Sequence, residues 1–299
     1  MTERQERVSS LRNPRIVDAR KLTQRKHRAQ QDSFLVEGLQ LLAMAVEEAR
    51  QQPGRVSPRD LFFAPELFVG ESAARLVDEL SDLGARPTPV APHILDTLSD
   101  RETSQGLACT FAISSMESSI EEMVEKASDA EENAPSLLIV LDRLQDPGNL
   151  GTLIRTADAV GAAGVLLIEP CVDPFDPKAV RGTMGSLFKV PIARMREVPQ
   201  AVERIRRTGR QLIGADGRLG ETVWSADCLA GPIALVLGNE ARGLSDDLCE
   251  TIDTYVSLPL LGGAESLNVS VAGGVLMYEW LRINRHSAPG TARPASQRE

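Results

Sequence analysis

The stretch I-A-L-V-L-G-N-E-A-R-G-L, residues 233–244, joins five apolar residues to a turn with two glycines, an amide, a carboxylate and a guanidinium. An unbroken apolar run is typical of a strand that is buried on both faces of a parallel sheet. A structural turn needs one glycine at most for a positive φ angle, and it has no need of charged groups. The stretch therefore predicts a buried strand whose end docks a ligand.

Four more apolar runs are similar to this strand. They are L-L-I-V-L at 137–141, V-L-L-I at 165–168, Q-L-I-G-A at 211–215 and T-Y-V-S-L at 254–258. Helical patterns separate most of them, at 150–160, 176–182, 199–208 and 266–281. This alternation predicts an α/β fold with a mainly parallel sheet and helices on both faces. Such sheets bind ligands at the carboxyl ends of their strands.

The preceding part of the chain predicts a smaller α/β layer. Its strand-like runs lie at 34–38, 61–64 and 107–113, and its helical patterns lie at 39–49 and 72–83. A chain of 299 residues is long enough for two domains that each bury a core. We expect a basic leader at 1–30, a small domain at 31–115, an acidic linker at 116–135, a larger domain at 136–284 and a disordered tail at 285–299.

The composition excludes several classes of protein. Hydrophobic residues make up 42% and charged residues 25%, which is typical of globular proteins. The apolar stretch at 269–281 is too short to cross a bilayer, and no export signal is visible, so we expect a cytoplasmic protein without a membrane segment. The four cysteines are widely spaced, and the three histidines lie outside any recognisable motif. We therefore expect neither a metal site nor a histidine-based active site.

The net charge of −9 argues against general nucleic-acid binding, but the charge is unevenly distributed. The leader carries an excess of six positive charges, and the linker an excess of six negative charges. The leader is therefore a candidate for phosphate contacts, and a solvated, frayed helix is the alternative. The candidate RNA-binding residues are Arg15, Arg20, Lys21, Arg25, Lys26 and Arg28.

Three polar loops follow strands of the larger domain. The first, after the strand at 137–141, contains D-P-G-N and leads to Asn149 and then to Arg155 on a predicted helix. As an alternative, Arg155 is a surface residue that pairs with Asp158 at helical spacing. The second loop is the turn at 238–244. The third, L-P-L-L-G-G-A-E-S-L-N-V-S-V-A from residue 258, predicts a helix that starts at Ser266 with free N–H groups able to receive a ligand.

Together, the three loops resemble the three motifs of the SpoU/TrmH branch of the SPOUT RNA methyltransferases. The resemblance covers about the last 150 residues and includes P-K-A-V-R-G-T-M-G-S at 177–186. It implies a C-terminal trefoil-knot domain that binds S-adenosyl-L-methionine and transfers its methyl group to a ribose 2′-hydroxyl. The first domain looks like the ribosomal-protein-like substrate-binding domain of the family, and large-subunit (23S) rRNA is preferred over tRNA as the substrate.

The resemblance also implies roles for single residues. The cofactor-binding residues are Leu237, Gly238, Asn239, Gly243, Leu258 and Leu267, where the lack of a side chain at Gly238 lets the main chain approach the cofactor. The residues at the reacting centre are Asn149, Arg155, Glu240, Ser266 and Asn268. Because a guanidinium stays protonated, we expect Arg155 to stabilise negative charge on oxygen rather than to act as a base.

The resemblance further implies a homodimer that packs through the last helix. The small residues of that helix are Ser270, Ala272, Gly273 and Gly274, and burial within one subunit is the alternative explanation for them.

Two other functions remain open from the sequence. The first is a nucleotide-binding α/β protein, for which G-A-D-G-R-L-G at 214–220 is the only candidate loop. Its spacing is not G-x-G-x-x-G, so a hairpin-like turn is favoured, and the chain contains no P-loop sequence. The second is an RNA-binding protein that keeps the fold without catalysis.

Overall fold

The computed structural model describes residues 7–99, 104–123, 136–217, 219–225 and 227–285. These residues form two β-sheets, one of four strands and one of seven. No helix among these described residues is long and apolar enough to cross a membrane.

The first sheet has the strand order β1-β4-β2-β3. Only β2 and β3 pair in parallel. The strands are β1 (Ser33–Glu37), β2 (Pro58–Phe63), β3 (Arg86–Pro89) and β4 (Leu107–Ala112). The helices of this part are α1 (Pro14–Lys21), α2 (Arg25–Gln31), α3 (Leu39–Gln51), α4 (Ser72–Asp82) and α5 (Pro92–Leu98). The predicted small α/β layer is therefore confirmed.

The second sheet is parallel throughout and has the order β7-β6-β5-β10-β8-β11-β9. Every residue of β5, β6 and β10 is buried, as their apolar runs predict. The strands are β5 (Leu137–Asp142), β6 (Gly164–Ile168), β7 (Ile192–Met195), β8 (Gln211–Ala215), β9 (Glu221–Thr222), β10 (Ile233–Leu237) and β11 (Thr254–Ser257).

Helices connect most of these strands, and the last helix follows β11. They are α6 (Pro147–Val160), α7 (Pro177–Gly182), α8 (Ser186–Lys189), α9 (Val198–Arg207), α10 (Asp246–Cys249) and α11 (Val269–Arg285). The start predicted for α11 at Ser266 is wrong. The Asn268 side chain accepts hydrogen bonds from the N–H groups of Ser270 (2.9 Å) and Val271 (3.4 Å). Asn268 is therefore the cap of the helix, which begins at Val269.

One of the buried apolar clusters spans both sheets. The Phe34 ring of β1 lies 4.8 Å from that of Phe175, and the Phe111 ring of β4 lies 5.4 Å from that of Phe188. All four rings are buried in one continuous cluster with the strands of the second sheet. The first sheet also buries a separate cluster with α1 and α5, and the second sheet buries another with α9. Each part of the chain therefore has core residues of its own in addition to the shared ones.

The leader and the linker both pack against the body of the protein. In the leader, Ile16 and Leu22 are buried, so the frayed-helix alternative is wrong for this part. In the linker, Ile120 and Met123 are buried, and both belong to an apolar cluster on the second sheet. Residues 124–135 of the linker and 286–299 of the predicted tail lie outside the described residues.

Candidate active site

A cavity of about 450 Å³ opens at the carboxyl ends of β8, β10 and β11. We call it the cofactor cavity. All six predicted cofactor-binding residues line it, namely Leu237, Gly238, Asn239, Gly243, Leu258 and Leu267. Glu240 and Ser266 line it as well. The sheet thus brings the second and third loops together, although their role in binding stays a prediction.

The loop at 238–243 is closed by its own hydrogen bonds. Asn239 and Gly243 exchange two backbone hydrogen bonds of 2.9 Å. The buried Asn239 side chain accepts from the N–H groups of Ala241 (3.0 Å) and Arg242 (3.1 Å). Its amide also donates to the Arg143 carbonyl at 2.9 Å, which joins this loop to the end of β5. Asn239 therefore braces the loop.

Gly238 is required by the loop itself. A Cβ atom at this position would lie 2.4 Å from the carbonyl carbon of Gly243 and 2.6 Å from the Leu244 nitrogen. Both neighbours are backbone atoms, which have little freedom to move aside. The family resemblance explains this glycine by the approach of the main chain to a cofactor, whereas the structure explains it by closure of the loop.

A group of four side chains, Asn149, Glu240, Asn268 and Ser270, joins all three loops, and we call it the polar cluster. The Asn149 amide donates to Glu240 Oε1 at 3.1 Å. The Asn149 side-chain oxygen accepts from Asn268 Nδ2 at 3.0 Å. Ser270 Oγ lies 3.3 Å from the same oxygen and donates to Asn268 Oδ1 at 2.6 Å. Asn149 therefore connects the first loop to both of the others.

Local capping fixes Asn149 in place. Asp146 is the N-cap of α6, and its carboxylate accepts from the Asn149 backbone N–H at 2.8 Å. The second oxygen of Asp146 accepts from Lys178 Nζ at 2.9 Å. The hydrogen bond from Lys178 is the main cause that lowers the pKa of Asp146, followed by the Asn149 N–H, so the cap stays ionised at neutral pH.

Arg155 is exposed on α6 and does not line the cofactor cavity. The alternative that pairs it with Asp158 is wrong, because the Asp158 carboxylate instead accepts from Ser186 Oγ at 2.7 Å. Within the described residues, the Arg155 guanidinium makes no hydrogen bond or ion pair. Its charge is thus available to a ligand.

Comparison with known proteins agrees with this geometry. Residues 136–278 match the SpoU rRNA Methylase family, and residues 13–109 match the MRM3-like substrate binding domain. The 23S rRNA (guanosine(2553)-2′-O)-methyltransferase RlmP of Bacillus subtilis is 32% identical over 271 residues, which cover 91% of this chain and 97% of RlmP. The chain belongs to the SpoU rRNA methylase family.

Solved structures of SpoU methylases match along nearly the whole chain. The rRNA methyltransferase of Sinorhizobium meliloti with bound AdoMet has a TM-score of 0.78 and 30% identity, and it covers 95% of this chain and 98% of that one. The SpoU methyltransferase AviRb of Streptomyces viridochromogenes in complex with AdoMet has a TM-score of 0.79 and 29% identity, covering 92% and 99%. The family and the fold class predicted from the three loops are confirmed.

The cofactor cavity fits S-adenosyl-L-methionine, the cofactor of these SpoU structures. Its volume lies within the range of about 300–1,000 Å³ that is typical of small-ligand pockets. Leucine side chains provide apolar walls for a flat base. Three carboxylate residues, Asp216, Glu240 and Glu265, face a cavity that must hold a positively charged sulfonium.

Some lining residues of this SpoU methylase are not predicted by the sequence. Ala215, Asp216 and Gly217 reach the cavity from the end of β8. The strand-end rule that identifies the other loops also applies to β8, although the glycine spacing at 214–220 favours a hairpin-like turn. Ser270 is predicted only as a small residue of the last helix. Ser266, by contrast, lines the cavity without a hydrogen bond to the polar cluster in the described part of the chain.

The basic leader presents fewer free charges than its sequence suggests. Arg28 is only 2% exposed, and its Nε donates to Asp173 Oδ2 at 2.9 Å, so its prediction as an RNA contact is wrong. Three other cations are paired with carboxylates, namely Arg15 with Asp60, Lys21 with Asp18, and Arg25 with Glu169. Arg20 and Lys26 are exposed, and their side chains have no partner among the described residues.

Proposed function

We propose that this chain transfers a methyl group from S-adenosyl-L-methionine to a ribose 2′-hydroxyl of 23S rRNA. The observation that carries the proposal is the cofactor cavity bordered by the polar cluster, in a chain that aligns with RlmP along 91% of its length. Residues 136–284 then form the methyltransferase domain, and residues 31–115 form the RNA substrate-binding domain. A cytoplasmic location agrees with this activity.

In this mechanism, the cofactor supplies an activated methyl group on a sulfonium when it is bound. Gly238, Leu258 and Leu267 hold the adenosine part. The polar cluster keeps Asn149 and Glu240 in fixed orientations toward the incoming ribose. Much of the rate acceleration then comes from alignment of the hydroxyl with the methyl group, because effective molarities of aligned reactants are large.

Arg155 supplies the electrostatic part of the mechanism. Its unpaired guanidinium is available to bind the phosphate next to the target ribose and to stabilise negative charge on the reacting oxygen. Because the guanidinium stays protonated, the hydroxyl proton leaves to a phosphate oxygen or to water.

We also propose that the cofactor loops belong to a trefoil knot. Strand β10 lies between β5 and β8, whereas β11 lies on the other side of β8. The connection from β10 to β11 must therefore cross β8. The chain then returns to α11, which packs against α6 and adds Val269 and Ala272 to the cavity wall.

We propose that Arg20 and Lys26 contact RNA phosphates. Removal of one cation that binds a phosphate lowers the salt dependence of RNA binding by about one unit of slope. Deletion of the whole leader is a poor test, because it removes the buried residues Ile16 and Leu22. Replacement of both exposed cations by glutamine is the appropriate variant, and we expect the slope to fall by about two units. An unchanged slope would return the leader to a purely structural role.

The experiment that tests the proposed function uses the full chain, labelled S-adenosyl-L-methionine, and 23S rRNA from cells that lack this gene. We expect one 2′-O-methylated ribose in that RNA and no labelling of RNA from cells that carry the gene. Labelling of tRNA alone would establish the alternative substrate. RNA binding without transfer to either RNA would establish the non-catalytic alternative.

A further inference from the structure

A second cavity, of about 470 Å³, lies beside the cofactor cavity. Its lining residues come from the ends of β5, β6 and β10. They are Arg143, Leu144, Gln145, Pro170, Cys171, Val172, Asn239 and Arg242. Asn239 and Arg242 line both cavities, so the loop at 238–243 borders both. Whatever occupies the second cavity is therefore adjacent to the reacting centre of the proposed function.

The lining of the second cavity suits a nucleotide. Two guanidiniums and the Gln145 carboxamide provide donors, and no lining residue is acidic. Leu144 and Val172 add an apolar surface. A guanidinium binds phosphate with its N–H groups and stacks on bases with its flat face. Unpaired RNA bases are recognised by such stacking together with hydrogen bonds to their edges.

Of the two guanidiniums that line the cavity, Arg143 lies in an ion pair with Asp142, whereas Arg242 has no carboxylate partner among the described residues. Asp142 is completely buried, and its Oδ1 lies 3.4 Å from Arg143 Nε. Its other oxygen accepts from the Ser245 N–H at 2.6 Å. Glu169 is held by Arg25, whose guanidinium also donates to the Cys171 carbonyl at 3.0 Å. The leader thus brings Arg25 to the rim of the cavity as a further cation.

The backbone at Arg143 also points to a functional role. Its φ angle of 54° is in the left-handed region, which costs a residue with a side chain about 1–2 kcal/mol and costs glycine nothing. Strained residues of this kind concentrate at functional sites. The Arg143 carbonyl accepts the hydrogen bond from Asn239, so the residue that carries the guanidinium also braces the loop of the cofactor cavity.

We propose that the second cavity binds a nucleotide of the substrate RNA next to the methylated one, with Arg143 and Arg242 as its recognition residues. This inference rests on the proposed function. The structure places the subsite on the edge of the sheet that faces the leader, so an RNA strand that follows α2 reaches the second cavity and the cofactor cavity in turn.

Arg143→Gly is the sharpest test. It removes the guanidinium and relieves the left-handed backbone, but it also takes the ion-pair partner from the buried Asp142 carboxylate. Arg143→Gly is therefore made and compared in the Asp142→Asn background, which leaves no buried charge unpaired. We expect the affinity for a 23S rRNA fragment to fall about tenfold and the salt slope to fall by about one unit, with cofactor affinity unchanged. Arg207→Gln removes an equally positive but highly exposed charge from α9, and it should leave RNA affinity within about twofold.

The outcomes separate this inference from the proposed function. Unchanged RNA affinity and salt slope in Arg143→Gly would overturn the subsite, even if the wild-type chain methylates RNA. Weaker binding would support it, and because this readout is binding, it applies even if the wild-type chain transfers no methyl group. Inorganic phosphate is the second probe: if it saturates the wild-type cavity without competing with RNA, the site holds a free anion and the inference is wrong.

Discussion

Asn149 is the residue through which the three loops meet. It donates to Glu240 and accepts from Asn268, so a single carboxamide touches two other loops. Each of these hydrogen bonds contributes only about 1 kcal/mol to stability. Their value lies in orientation, because they fix the side chains at the rim of the cofactor cavity before any ligand binds.

Replacement of Arg155 by alanine tests the electrostatic part of the mechanism. We expect turnover to fall by roughly two to three powers of ten, because charge stabilisation in the reaction is removed. Cofactor affinity and melting temperature should stay unchanged, since Arg155 does not line the cavity and the described residues hold no partner for it. Single-turnover kinetics measures the turnover, while calorimetry measures the affinity and the melting temperature. Unchanged turnover would remove Arg155 from the mechanism.

Two variants of Asn268 separate its two roles. Asn268→Asp keeps the oxygen that caps α11 but removes the amide that donates to Asn149. We expect it to retain stability and to reduce turnover. Asn268→Ala also removes the cap, so it should be less stable by about 1 kcal/mol. Urea unfolding and turnover of both variants provide the comparison, and equal stability of the two would contradict the capping role.

At this scale, the sequence identifies residues whose role depends on local position. The six predicted cofactor-binding residues lie at or after strand ends, and the resemblance to the family names them. The partners of Arg28 and Asp158 are not predictable, because Asp173 lies 145 positions from Arg28 and Ser186 lies 28 positions from Asp158. Only the folded chain brings these groups together.

Among the elements, the loop at 238–243 leaves no room for a side chain at Gly238. Gly238→Ala would place a methyl group 2.4 Å from a backbone carbon. We expect this variant to bind the cofactor at least about tenfold more weakly in calorimetry, because the loop must open to accept the side chain and each 1.4 kcal/mol of such a cost is about tenfold in affinity.

Gly243→Ala is the matched control for that variant. Gly243 has a φ angle of 68° and no atom within 4 Å of its added Cβ, so the substitution costs only about 1–2 kcal/mol of backbone strain. If Gly243→Ala weakened cofactor binding as much as Gly238→Ala, a steric clash within the loop would not be the cause of the weaker binding.

The sequence predicts elements well where burial is complete and poorly where it is partial. The apolar runs of β5, β6 and β10 identify these strands, because both faces of each strand are covered. Strand β3, R-P-T-P, is not predicted because two prolines are unusual in a strand, and they are tolerated here at the edge of the first sheet. Strand β9 has only two residues, both exposed, so it carries no apolar pattern.

For the whole molecule, the ion pair of Arg28 with Asp173 links the leader to the part of the chain that carries the second sheet. The two side chains are only 2% and 6% exposed. We expect Arg28→Met to cost about 3–5 kcal/mol, because it leaves a buried carboxylate uncompensated. The double variant Arg28→Met/Asp173→Leu should recover part of this stability in urea unfolding.

The exposed pair of Lys21 with Asp18 provides the control for this measurement. Both side chains are about half exposed. Lys21→Ala should therefore change stability by no more than about 0.5 kcal/mol. If Arg28→Met lowered the free energy of unfolding no more than Lys21→Ala does, the leader would not be anchored to the second sheet by its buried ion pair.

The homodimer stays a prediction, and we propose that the exposed apolar face of α11 would form its interface. Val271, Val275 and Tyr278 are 52%, 42% and 54% exposed, and their spacing places them on one side of the helix. Gly273 instead packs inside the subunit, since an added Cβ would lie 2.6 Å from Leu153. We expect Tyr278→Glu to produce monomers in sedimentation at a concentration where the wild type dimerises. A wild-type monomer would contradict the homodimer.

In the proposed mechanism, three loops at the carboxyl edge of the parallel sheet enclose the methyl donor beside the polar cluster. A crystal structure of the full chain soaked with S-adenosyl-L-methionine would show this arrangement. We expect adenosine between Gly238, Leu258 and Leu267, with the sulfonium on the side of Glu240 and Asn149. Density for the cofactor in the Arg143–Arg242 cavity alone, or at another face of the molecule, would contradict it.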